Sequence, residues 1–125
     1  MSNLDMFNEI TAKVFAECYE NFPVTIDCNQ DDYVTTVDTE PNEIFYETML
    51  WLKEYDYITF WEHEMGARTF YHVQLTEKGL SALNMVPDSL KEKVTMGSKI
   101  ASAVKSGAKD IMSECIRQAV KYSIS

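Results

Sequence analysis

The sequence predicts a small α+β domain whose elements run helix, short strand, helix, β-hairpin, helix, followed by an appended C-terminal amphipathic helix. Three observations predict it. Apolar residues recur at three- and four-residue steps near the start and through the middle of the chain. Two aromatic, β-branched segments flank a short turn containing Gly66. The 125 residues are 46% hydrophobic and include 2 Trp, 7 Tyr and 6 Phe, enough for one core.

Residues 4–21 read as the first helix. Leu4, Phe7, Ile10, Val14 and Cys18 form one stripe, with Phe15 and Phe22 beside it. Asn8, Lys13, Glu17 and Glu20 spread over the remaining surface, and Pro23 ends the helix. Val24-Thr25-Ile26 reads as a short edge strand, and Asp27 to Asp32 as an acidic turn. Tyr33 to Val37 has β-propensity, and residues 27–40 as a whole are open between loop and helix.

A second helix begins near Pro41, with Asp38 or Thr39 as cap and Glu40 and Glu43 at its positive end, and runs to about Glu54. Phe45, Met49 and Leu52 form one face, Ile44, Trp51 and Tyr55 a neighbouring one, and Tyr46 and Leu50 a third. So few polar angles predict burial on more than one side. Residues 57–62 and 69–75 read as the hairpin. Thr76 caps a short helix through about Met85, and Pro87 follows.

Over 98–122, Ile100, Ala101, Val104, Ala108, Ile111, Met112, Cys115, Ala119 and Tyr122 share one apolar sector. Lys99, Lys105, Lys109, Arg117 and Lys121 fall outside it. Gly107 weakens an unbroken helix by about 1 kcal/mol of propensity. The expected organisation is a domain at 1–88, a linker at 89–97 and the amphipathic helix at 98–125. That helix has four readings: packing back on its own core, pairing with a second copy, docking on another protein, or lying on a membrane surface.

Charge is divided unevenly. Residues 1–90 carry four basic side chains (Lys13, Lys53, Arg68, Lys78) against seventeen acidic ones, a net −13; residues 91–125 carry seven against three, a net +4; together they give the chain's −9. Such an acidic first part repels phosphates, so no nucleic acid is expected on residues 1–90, and a basic partner is permitted.

A helix ending in Trp51-Leu52, then Tyr57-Ile58, a hairpin, and Leu75-Thr76-Glu77-Lys78-Gly79-Leu80 resembles the second half of a winged helix-turn-helix, over about residues 4–86. The set Tyr19-Glu20-Asn21-Phe22-Pro23, LTEKGL and Val86-Pro87-Asp88-Ser89-Leu90 is also similar to small bacterial proteins of unassigned function. The resemblance implies the fold and, for many bacterial regulators, DNA binding through the second helix and the wing. Here the recognition-helix position carries Lys53 against Glu40, Glu43, Glu47 and Glu54, and the wing carries Arg68 against Glu62 and Glu64. DNA contacts need Arg and Lys, so the fold is carried over without DNA-contact residues.

The residues offer little catalytic chemistry. Asp27-x-Asn29-x-Asp31 starts like a calcium loop, but position six is Asp32 and position twelve Asp38 where Gly and Glu belong, so a turn is expected. His63 and His72 with Glu62 or Glu64 could hold zinc across the hairpin, although surface histidines are the expected reading. Phosphate-loop, dinucleotide, nucleophile-elbow and HExxH signatures are lacking. Three cysteines without CxxC spacing read as reduced thiols. No membrane span or secretory leader is read, and the cytoplasm is the expected compartment.

The expectation is therefore a non-enzymatic interaction or regulatory module without metal or cofactor. Its partner is a basic protein, or a second copy in a homodimer. The candidate surface is Glu43, Tyr46, Glu47, Leu50, Trp51 and Trp61; the candidate dimer or partner helix presents Ile100, Val104, Ile111, Met112, Cys115 and Tyr122. Two alternatives stand beside it: a dimeric DNA-binding regulator using Lys91, Lys93, Lys99, Lys105, Lys109, Arg117 and Lys121, and a membrane-surface protein. Membrane association is the less expected of these.

Overall fold

A computed structural model describes residues 2–34, 41–63, 69–87 and 94–123. The expected cap at Asp38 or Thr39, the turn around Gly66 and most of the 89–97 linker lie outside the described residues.

Helix α1 (Asn3–Asn21) starts at a capping box. Ser2 Oγ accepts from Asp5 N at 3.1 Å, and the Asp5 carboxylate accepts from Ser2 N at 3.2 Å. That contact holds the Asp5 carboxyl below its usual range. Ile10, Val14, Phe15 and Cys18 are buried as their spacing predicts. Ala12, Ala16, Thr11 and Glu9 are buried as well, so α1 is the central helix rather than one with a single covered face.

Strand β1 (Ile26–Asn29) lies later than the expected Val24–Ile26. Val24 N instead closes the turn after α1 on Asn21 O at 2.8 Å. Pairing with the hairpin draws Asp27-Cys28-Asn29 into the ladder and puts Cys28 in the core, overriding their turn propensity. Asn29 then acts as a helix cap: its Oδ1 accepts from Asp31 N at 2.9 Å and opens the one-turn helix α2 (Gln30–Tyr33). The open stretch 27–40 is thus strand and helix as far as Tyr33; residues 35–40 are outside the described residues.

Helix α3 (Pro41–Glu54) buries Phe45, Met49 and Leu52 completely. It ends in a Schellman turn. Asp56 takes the left-handed position (φ 67), Asp56 N bonds Lys53 O at 3.0 Å and Tyr57 N bonds Leu52 O at 2.8 Å. The second expected face is only partly covered: Ile44 and Trp51 are half-buried, and Tyr55 is 53% exposed.

The sheet is antiparallel and centred on β4 (Thr69–Leu75). On one side it pairs with β1, and on the other with β2 (Ile58–Thr59) and β3 (Glu62–His63), which share one register (Ile58 opposite Leu75, Glu62 opposite Tyr71). The ladder with β1 changes register between Ile26 and Cys28. There β4 carries an extra residue, His72 has φ 57, and its N–H donates to Asp27 Oδ1 at 3.2 Å.

Helix α4 (Glu77–Asn84) gives the LTEKGL run a physical meaning. Thr76 Oγ1 accepts from Gly79 N at 3.1 Å, and Thr76 N bonds Tyr57 O at 3.1 Å. Gly79 lies directly on the Tyr57 carbonyl, where a Cβ would stand 2.2 Å from its oxygen.

The single helix expected at 98–125 is two helices. Helix α5 (Met96–Ser106) begins at Thr95, whose hydroxyl caps Ser98 N at 3.1 Å. It stops at Gly107, which is left-handed (φ 71), and Ala108 N returns to Ala103 O at 3.0 Å. Helix α6 (Lys109–Ser123) follows. Both pack on α1 and α4, and the buried core runs continuously through them, so residues 96–123 are part of the domain rather than an appended unit. The break resets the helical phase. Met112, Cys115, Ile116 and Ala119 face inward, while Ile111 and Tyr122, expected on the same apolar sector, are 46% and 53% exposed. Tyr57 Oη and Ser123 Oγ, 2.5 Å apart, tie the end of α6 to the α3–β2 turn.

Secondary structure and burial together give an α+β domain with, among the described residues, six helices and a small antiparallel sheet, in an order compatible with a winged-helix-like arrangement. Among the described residues no helix is long and apolar enough to cross a membrane.

Candidate interaction groove between the first and third helices

The stripe on α1 outruns the core at its N-terminal end. Ile10 is buried, Phe7 half-buried and Leu4 66% exposed. Ile44, Glu47, Thr48 and Trp51 of α3 stand across from this end, and the six side chains line an open groove of about 360 Å³. A second hollow of about 630 Å³, lined by Glu47, Leu50, Trp51, Lys53, Glu54 and Tyr55, shares Glu47 and Trp51 with it. The two form one continuous surface along α3.

Helix geometry explains the layout. At 3.6 residues per turn, Ile44, Trp51 and Tyr55 fall within roughly 40° of one another, as do Glu43, Glu47 and Glu54, about 80° round the helix. An apolar row therefore runs beside an acidic one. Trp51 is fixed by its neighbours: Phe7 meets it edge-on at 5.2 Å, Tyr55 lies 4.6 Å away, and Tyr57 stacks on it at 6.0 Å with a 10° interplanar angle. Such a rigid half-buried aromatic loses little conformational freedom on forming a contact.

Of the expected surface residues, the structure brings Glu47, Leu50 and Trp51 together there, with Glu43 exposed one turn earlier on the acidic row. Tyr46 is half-buried against Phe70, 6.1 Å between ring centroids, and is not a wall of the groove. Trp61 is 76% exposed on the hairpin, where it stacks on His72 at 4.4 Å, and is also not a wall. Leu4 and Phe7 complete the groove, although their spacing alone assigns them to the core stripe.

The residues expected to form a dimer or partner helix are mostly used inside the chain. Ile100, Met112 and Cys115 are buried in its own core and Val104 is half-buried; Ile111 and Tyr122 are exposed. The cationic set is also partly paired within the molecule. Lys105 lies 3.9 Å from Glu20, Lys109 3.7 Å from Glu9, and Arg117 2.9 Å from Glu114. The pairing of Lys109 with Glu9 was hidden in the sequence; Lys13 reaches the other Glu9 oxygen at 3.1 Å. Lys91 and Lys93 lie outside the described residues.

A second cleft, about 440 Å³, lies between α1, β1–α2 and α5; Lys13, Glu17, Glu20, Asp27, Asp32, Tyr33 and Lys105 are among its walls. Cys18 and Cys28 are buried nearby in the core. Burial pushes the Cys18 thiol well up and the Cys28 thiol up to about 12, against a hydrogen bond from Tyr33, whose hydroxyl is also pushed up by burial and by Cys28. Burial likewise raises Cys115. These environments are the reverse of an activated nucleophile's. The Asp27 and Asn29 oxygens of the calcium-like run accept backbone hydrogen bonds from His72 and Asp31. Among the described residues no group of three His, Cys, Asp or Glu could hold a metal ion; the His63 side chain lies outside them.

The thiols yield a prediction. In the native protein all three react slowly with a thiol reagent at about pH 8, and all three react at once in denaturant. Because folding raises the Cys28 pKa from 9.0 to about 12, the folded state keeps its proton where the unfolded chain loses it. Stability is therefore fully present below about pH 9 and falls as pH rises toward 12. Urea midpoints across that range check this, and Cys28→Ala flattens part of the fall.

Comparison with protein-family profiles, with curated proteins and with solved structures finds no match for this chain in any of the three.

Proposed function

We propose that this chain is a non-enzymatic protein-binding module, a winged-helix-like domain that holds its partner in the α1–α3 groove. The observation that carries the reading is a contiguous apolar surface, with Leu4 and Tyr55 exposed and Phe7, Ile44 and Trp51 half-buried between them. Clustered aromatic and aliphatic groups around a fixed aromatic are what interface centres are made of. The strand order β1–β4–β2 with α1, α2 and α3 supports the winged-helix reading, in which α3 would be the recognition helix. There the outward row is Glu43, Glu47 and Glu54, which repels phosphates and favours a protein over DNA. Three buried, unpaired cysteines fit a reducing compartment such as the cytoplasm.

Site-specific photo-crosslinking in the producing cell tests this. A photoreactive residue at the exposed Leu4 position is expected to give a discrete protein adduct, which Ile44→Asp abolishes. The same residue at exposed Ser102 on α5 is expected to give none. Identical adducts from both positions, or no adduct from position 4, would overturn the groove as the binding surface.

A further inference from the structure

We propose that the occupant of the groove is a cationic amphipathic helix of about three turns, supplied by a partner protein; this rests on the protein-binding reading and gives the partner its chemistry. The shape argues for a helix. Ile44 to Tyr55, from α3 into the turn that follows it, covers eleven residue steps, roughly 16 Å, and the hollow beside it is a crevice between two helices. Anchors at i, i+4 and i+7 of a third helix fit such a crevice. The apolar row of Ile44, Trp51 and Tyr55, with Leu4 and Phe7 opposite, takes those anchors.

Charge argues for a cation. Glu43, Glu47 and Glu54 lie along the apolar row, and none of the ion pairs among the described residues involves them. Lys53, the one basic residue of α3, has its ammonium over the Phe60 ring, 4.4 Å from the centroid. Lys or Arg flanking the partner's anchors would meet the glutamate row. Two copies set groove to groove with their α3 helices antiparallel would instead oppose one glutamate row to the other, so like charge argues against that symmetric dimer.

The test uses the full chain and two synthetic peptides of about 18 residues with the same leucine-based apolar face, one flanked by lysines and one by glutamates. Calorimetric titration at low salt is expected to show the lysine peptide binding at least tenfold more tightly, with the gap closing at about 1 M salt. Leu4→Asp, at an exposed position that leaves the fold intact, is expected to weaken the lysine peptide at least tenfold. Glu43→Lys with Glu47→Lys is expected to reverse the preference.

Equal binding of both peptides, lost in Leu4→Asp, would overturn the cationic occupant and leave the protein-binding reading standing. A lysine preference indifferent to Leu4→Asp and to the glutamate changes would place the peptide elsewhere, in the acidic cleft for example, and overturn the proposal. No binding of either peptide to a chain that is folded by circular dichroism would overturn it too. The crosslink from position 4 judges the parent reading separately.

Discussion

A chain ended after residue 93 will not fold. That deletion removes α5 and α6, and with them Met96, Ile100, Ala101, Ala103, Met112, Cys115, Ile116 and Ala119 from the core. Burying each of the four largest contributes about 1.5–3 kcal/mol, so Met96, Ile100, Met112 and Ile116 together account for roughly 6–12 kcal/mol as an upper figure. A domain's whole stability is about 5–15 kcal/mol. The deletion also strips the Tyr57–Ser123 and Tyr19–Thr95 hydrogen bonds and leaves buried Glu9 without its Lys109 partner. Circular dichroism and an amide NMR spectrum should show no cooperative transition and poor dispersion. A well-dispersed spectrum from residues 1–93 would mean that the C-terminal pair is an appendage after all.

Gly79→Ala carries the largest expected effect of any single methyl group. In an open helix the change would favour folding by about 1 kcal/mol of propensity. Here the new Cβ stands 2.2 Å from the Tyr57 carbonyl oxygen and 3.1 Å from its carbon, both backbone. Relief requires α4 to lift off the α3–β2 turn, and the same carbonyl accepts Thr76 N, so the cap is disturbed too. Steric cost wins over propensity. A loss of about 3 kcal/mol, the upper end for overpacking, is expected in urea unfolding at unchanged slope. Gly107→Ala is the contrast: its left-handed φ of 71 costs about 1 kcal/mol, and no atom lies within 4 Å of the added Cβ. Equal stability of Gly79→Ala and the natural chain would contradict the packing of α4.

Local signals carried the elements they govern. The core face of α3, the second hairpin strand and the Thr76 cap follow from spacing and residue type, and each is where those predict; the first hairpin strand, expected unbroken over 57–62, is instead the two short strands β2 and β3. Failures arose where a distant partner decides. β1 moved two residues on because pairing with β4 and burial of Cys28 outweigh the turn preference of Asp27 and Asn29. The C-terminal periodicity fits one helix, and Gly107 warns of a break, but the new phase that buries Ile116 and releases Ile111 depends on how α6 packs on α1.

The groove was half legible for the same reason. Trp51, Leu50, Glu43 and Glu47 stand out as a surface from the wheel of α3 alone. Leu4 and Phe7 look like core residues, and only the position of α3 across from them shows that the stripe runs out into solvent. Tyr46 and Trp61 carry the same aromatic signal but pack on Phe70 and His72.

Amide chemical-shift mapping of the full chain on addition of the lysine-flanked helical peptide tests the α1–α3 groove as the binding surface. Shifts are expected to be confined to the N-terminal turns of α1 and to Ile44–Tyr55, and to be lost in Leu4→Asp. Shifts centred instead on Glu17, Glu20, Asp27 and Asp32, or spread without focus over the acidic surface, would contradict it.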